Sequence, residues 1–499
     1  MKRRRVATLG ALGVGLGLVL LTPDFRPLPV PPLDPQPFRW DRDQLFERLE
    51  GVFLDSRIAP LEVTQATFDR LEGEGRATLA QIEAGGGAVR LEALSRLETI
   101  QFGLAAHAAA RASLLSRAQK FINNTRISVM RSAQAWPTDR PDVHTALYRV
   151  VLGGRSAIEE ALVQAGPEVL PALVHLEEVP SASPWIEVEG VRVHSGDILL
   201  SRGGAPTSAL IARGNDFPGS FSHAALVHVS ESGEATVIEA LIERGAVLSS
   251  VTGYLEAKKL RILLLRPRPD LRVLQLDPLA PHKAAASMLA QVRKSAVRYD
   301  FAMDWQDPEK FFCSEVPYHA YRGVGIDLWA VQSSMSEPGL VHWLASLGVR
   351  HFTTLVPSDL EYDPRLAAVA EWRDISMLRQ HRLDDVTIDV LLEGADAGDR
   401  LGYAWYHLPA ARLLKAWSNV EALLSGAPTI PQGMSASVAL RVDALAHRVH
   451  PVLRGAIEEK AAAFFEENGY EAPYWVLVEA GRQALDELRP SLAPALHRP

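Results

Sequence analysis

Cys313 is the only cysteine in a chain of 499 residues, and it stands at the centre of the stretch FFCSE, 311–315. A lone thiol can fill a core as a small hydrophobe, pair with another chain, or attack as a nucleophile. Attack requires the thiolate, and so a lowered pKa or a neighbouring base. Pro317 follows in the same run. Proline is tolerated in the first turn of a helix and excluded from its interior. A helix opening at Cys313 would set the thiol where unpaired N–H groups and the helix dipole stabilise negative charge.

The base for such a thiol should be a histidine. His223 opens the β-forming run HAALVHVS, directly after the Gly- and Ser-containing loop GNDFPGSFS, a position that is rigid yet accessible. His228, five positions on, points to the opposite sheet face. A third group must orient the imidazole and fix its tautomer. Glu239 lies in the next β-forming run, VIEA, and a carboxylate among apolar neighbours asks for a partner. If the two runs are antiparallel neighbours, Glu239 can lie beside His223. Taken singly, each residue also has a plainer reading: a solvated surface histidine and an edge-strand glutamate facing water.

The elements that must position these residues read as α+β, with helix and strand runs segregated rather than alternating. WIEVEGVRVHSGDILLSR, HAALVHVS, ATVIEAL and RILLLRPR are strand-like, with Gly190 and Gly196 as turn punctuation. Helical spacing of apolar residues occupies 38–180, returns at 282–298, and resumes after about residue 370. The expected organisation is an export signal or anchor at 1–21, a Pro-rich linker at 22–37, a helical region at 38–180, the strand-containing domain at 186–370, and a C-terminal helical region at 371–499.

The first residues, MKRRRVATLGALGVGLGLVLLTPDF, place a basic run, Lys2 to Arg5, before the uncharged apolar run Val6 to Leu21. That order is typical of export. No A-x-A cleavage site follows, so the segment is read as either a signal peptide or a retained anchor. The expected location is the periplasm, or the inner membrane facing it. Export sharpens the question of Cys313, because structural cysteines outside the cytoplasm usually come in pairs. The net charge of −8 is spread along the chain, which is unlike a nucleic-acid binder. From Arg111 to Trp136 basic residues occur without an acid. This stretch is read as a solvated helix face, or as a contact for anionic lipid or wall polymer.

The order GDIL (196–199), FSHAALV (221–227), VIEA (237–240), YDFAMD (299–304) and FFCSEV (311–316) resembles the YiiX/YaeF-like permuted papain-fold hydrolases of the NlpC-type superfamily. The resemblance covers about residues 186–370 and ends with VPSDLEYDPRL (356–366). It implies a circularly permuted papain-like domain whose cysteine helix has moved behind the histidine and acid strands. It also implies Cys313 as nucleophile, His223 as general base and Glu239 as the orienting acid. Tyr299, Ser222 and Asp300 fall near the site by motif, as substrate contacts or as packing. Pro317 departs from the family's usual apolar continuation after C-S-E.

The function expected is a cell-envelope cysteine hydrolase cleaving an amide or ester in a wall peptide or lipid-linked substrate, with no cofactor and no metal. Two alternatives are a lipid acyltransferase of the same superfamily and a membrane-anchored scaffold that only binds. The helical regions are expected to serve envelope protein partners, and the N-terminal segment the membrane if it is retained. Asp443, His447 and His450 share a helix face by spacing and could hold a metal, but HExxH is lacking.

Overall fold

The computed structural model describes residues 22, 29–32, 37–38, 40 and 44–498, except 166–169, 258, 330 and 426–427. The export-type segment at 1–21 lies outside the described residues, as does most of the Pro-rich linker.

The β-forming runs alternate apolar side chains to two faces, and both faces are covered. Seven strands form one sheet: β1 (Leu173–His175), β2 (Ile198–Gly203), β3 (His223–Val229), β4 (Ala235–Leu241), β5 (Gly245–Ser250), β6 (Lys259–Pro267) and β7 (Leu366–Arg373). Their order is β1-β7-β6-β2-β3-β4-β5, and every pair is antiparallel. Leu200, Ala224, Leu226, Ile238 and Leu263 meet the helices Ala280–Lys294 and Glu315–Arg322 on one face. Leu199, Ala225, Val227, Val237 and Leu264 pack on Val251, Tyr254 and the hairpin strand Val191–His194 on the other. The period of two follows from the pleat.

Gly196, the first residue of GDIL, has φ +97°, and a Cβ there would stand 2.4 Å from Pro281 Cβ. Both conditions admit only glycine. The next residue, Asp197, is buried and grips Arg266 at 2.8 Å through each carboxylate oxygen. This pair ties the β2 entry to β6.

Helices flank the sheet region in the chain. Leu61–Glu83, Leu91–Ala110, Leu115–Ala133 and Pro141–Ala165 share a core around Phe68, Leu97, Leu104 and Tyr148, and Gln44–Ile58 packs against Leu91–Ala110. The C-terminal helices Leu378–Asp396, His450–Asn468 and Tyr474–Leu492 share theirs with Leu210 and Trp343.

The basic stretch from Arg111 to Trp136 is solvated in part, with Lys120 exposed and the Arg131 side chain 61% exposed, but three of its five cations are paired with acids. Arg126 is buried and bonds Glu361 at 2.7 Å, Arg131 bonds Glu177 at 2.9 Å, and Arg117 is paired with Asp69 and Glu72. Its acids come from elsewhere in the chain, which a local reading of charge does not see. Arg155 joins the same network, bonding Glu361 and Glu371 at 2.6 Å each. The helical region and the sheet region are thus fastened by buried, paired charges, the condition under which burying them is tolerable.

Candidate active site

Sheet register assembles the polar line. Ala225 lies opposite Glu239, and Glu239 opposite Val247. His223 is two residues from Ala225, and Ser249 two from Val247. Both therefore share the face of Glu239 as its diagonal neighbours. The contacts follow: His223 Nε2 bonds Glu239 Oε2 at 2.8 Å, and Ser249 Oγ donates to Glu239 Oε1 at 2.6 Å. His228 falls on the other face, stacked on His282 at 5.4 Å.

Cys313 arrives from the opposite direction. The short strand Lys310–Phe311 runs parallel to Arg298–Tyr299, and Cys313 and Ser314 form a turn before the helix Glu315–Arg322. The helix therefore opens two residues later than a start at Cys313 would give. Pro317 sits in its first turn all the same, where its missing N–H leaves nothing unpaired. The thiol is buried, lies 3.9 Å from the Ser222 carbonyl, and stands within electrostatic reach of His223. With Nε2 committed to Glu239, Nδ1 is the ring nitrogen left to face the sulfur.

Burial by itself would push His223 down and the Cys313 thiol up. The attraction between them, with the hydrogen bond that His223 donates to Glu239, prevails: His223 is raised to about 9 and the thiol is lowered. Burial also opposes the charge on Glu239, but the His223 and Ser249 bonds hold its carboxyl below the usual range. The arrangement favours a thiolate beside an imidazolium beside a carboxylate, which is a nucleophile carrying its own proton donor.

The remaining candidates separate. Ser222 lends its carbonyl to the thiol, and its N–H bonds the Ser201 carbonyl at 3.0 Å. Tyr299 is held well above the usual phenol pKa, first by burial and then by the charge of Cys313, which places it within electrostatic reach of the sulfur. Asp300 is instead spent on its own loop, accepting the N–H of Ala302 at 3.0 Å and of Asp304 at 2.5 Å.

Four residues of the site were not foreseen. Ser249 braces Glu239. Tyr254 stacks on His223 at 6.4 Å and donates to Ser201 at 3.0 Å. Lys259 places its ammonium 3.6 Å from the Tyr254 ring centre. Glu315 is fully buried, accepts the Phe312 N–H at 2.6 Å, and is pushed up to about 10 by burial, with Asp300 and Cys313 adding to it. Only Glu315 carried a signal, since it belongs to FFCSE itself.

Asp443, His447 and His450 do not converge. A π-helical turn at Leu445–Val449 rotates the register. Asp443 and His447 stay 3.9 Å apart on the exposed surface, while His450 is buried 3.6 Å from Asp384.

Residues 192–370 match the model of a family described as permuted papain-like amidase enzyme, YaeF/YiiX, C92 family. No curated protein and no solved structure matches the chain. The matched segment contains Cys313, His223, Glu239, the whole of strands β2 to β6 and the start of β7.

Proposed function

We propose that this chain, a permuted papain-like amidase over residues 192–370, cleaves an amide or ester bond in a cell-wall peptide or lipid-linked substrate of the envelope. The observation that carries this reading is the hydrogen-bonded line Ser249–Glu239–His223 with Cys313 within electrostatic reach of its imidazole. The Cys313 thiolate attacks the carbonyl carbon, and the oxyanion that forms is met by the Cys313 backbone N–H at the helix approach. Collapse breaks the bond to the leaving nitrogen or oxygen, which takes the proton from His223 and departs, leaving a thioester on Cys313. Neutral His223 then removes a proton from water as it attacks the thioester. The acid is released, and the proton returned to His223 restores the ion pair. Glu239 holds the ring and stabilises its charge throughout. The basic-then-apolar N-terminus supports placing this reaction outside the cytoplasm.

The test is the reactivity of the single thiol. Iodoacetamide near neutral pH should label Cys313 at least tenfold faster than a free peptide thiol, and His223→Ala should remove that advantage. Hydrolysis of a wall-peptide amide or a lipid ester should disappear in Cys313→Ala. Labelling at the free-thiol rate, or labelling indifferent to His223, overturns the mechanism.

A further inference from the structure

The helix Leu408–Ser425 carries an apolar face that nothing in the described protein covers. Tyr406, Leu413, Trp417, Val420 and Leu424 recur at helical spacing along one side, with Leu414 and Leu423 beside them and Trp405 just ahead. Leu413 is 65% exposed, Trp417 57%, Leu423 85% and Leu424 79%. Eight of the twenty exposed large apolar side chains among the described residues lie between 405 and 424. Scattered single leucines need no explanation, but a contiguous apolar face marks an interaction site. The opposite side of the helix is seated normally, through Leu408 and Ala411 against Ala436.

We propose that this face rests on the surface of a lipid bilayer. The chain's own course names the occupant. The uncharged apolar run Val6–Leu21 ends one residue before Thr22, and the Thr22 carbonyl accepts a hydrogen bond from Arg412 of this same helix. The sequence preceding Thr22 needs an apolar environment, Thr22 itself lies against a helix whose outer face needs one, and a bilayer satisfies both. The aromatic residues suit that boundary, where Trp and Tyr concentrate. Trp417 has its indole N–H satisfied by Glu421 at 2.7 Å, so its ring can enter lipid without stranding a donor. Among the described residues no helix is long and apolar enough to cross a membrane; this one, about 27 Å long, lies along the surface.

The driving force is apolar insertion rather than attraction to anionic lipid. Lys415, on the helix, is held by the carbonyls of Ile430, Pro431 and Gln432, the closest at 2.6 Å, and Arg412 is engaged by Thr22. With two cations and one anion, Glu421, on a helix whose outer face is apolar, membrane contact should change little with salt.

A chain with one native cysteine makes the test direct. In full-length protein carrying Cys313→Ala, Val420→Cys is labelled with an environment-sensitive fluorophore and mixed with phosphatidylethanolamine–phosphatidylglycerol vesicles. Ser232→Cys, in the exposed turn between β3 and β4, is the control. Emission at position 420 should rise at least twofold, shift to the blue, and be quenched by spin-labelled lipid at both low and high salt, while position 232 stays silent. An unchanged probe at 420 on vesicle-bound protein overturns the proposal. So does a probe already blue-shifted without vesicles: independence of protein concentration would then show the N-terminal segment folded onto the face, and dependence a second copy.

Discussion

Replacing Glu239 by glutamine keeps the outline of the side chain and leaves an oxygen to accept from His223 Nε2, but it removes the charge facing the imidazolium. The contact is 2.8 Å long and the carboxylate is buried, so solvent screens it weakly. A hydrogen bond to a charged partner contributes about 1.5–3 kcal/mol and a neutral one about 0.5–1.5 kcal/mol. The imidazolium thus loses roughly 1–1.5 kcal/mol of stabilisation. At about 1.36 kcal/mol per pKa unit, His223 should fall by about one unit, from about 9 in the wild type. The raised value means that the fold favours the protonated ring and loses it as pH rises, so the change belongs to the alkaline side of the profile. Iodoacetate reads it. The reagent is an anion, the imidazolium assists its approach, and its rate declines as His223 deprotonates. Because Cys313 is the single cysteine, intact mass counts one reaction. The midpoint of the decline should move down by about one pH unit in Glu239→Gln, an apparent value belonging to the coupled pair. A midpoint that does not move refutes the claim that Glu239 sustains the charge on His223.

Two further outcomes concern stability. Glu315 is neutral in the fold because its carboxyl is raised from 4.5 to about 10. The stability it contributes is whole below the unfolded value and is lost as pH rises through that window, so Glu315→Gln should gain on the wild type by about 1–3 kcal/mol between pH 6 and pH 8 in urea titrations; parallel curves would sink this assignment. Arg155→Met leaves Glu361 and Glu371 facing each other without their shared cation and should cost about 3–5 kcal/mol in the same measurement, whereas a loss under about 1 kcal/mol would mean that the network is not held by Arg155.

The sequence by itself determined the ingredients of the site and much of the scaffold. The apolar runs around His223 and Glu239 mark strands, and Pro317 after the lone cysteine marks a helix start close by. These are local regularities, carried by residues close in the chain, and the ordered motifs from GDIL to FFCSE are sums of them. What only the tertiary structure decided are the relations between distant residues. Nothing near Ser249 announces that it braces Glu239; sheet register places it there, because β5 returns beside β4. The arginines between 111 and 136 have no local acids, and their role appeared only once Glu177 and Glu361 folded against them. Helix periodicity put Asp443, His447 and His450 on one face, and one π-helical turn took His450 away from the other two. Glu315 drew no reading of its own from the sequence, and it is the closed core around it that raises its carboxyl. Propensity and periodicity act over a few residues, whereas charge, burial and register are settled by whatever the rest of the chain brings alongside.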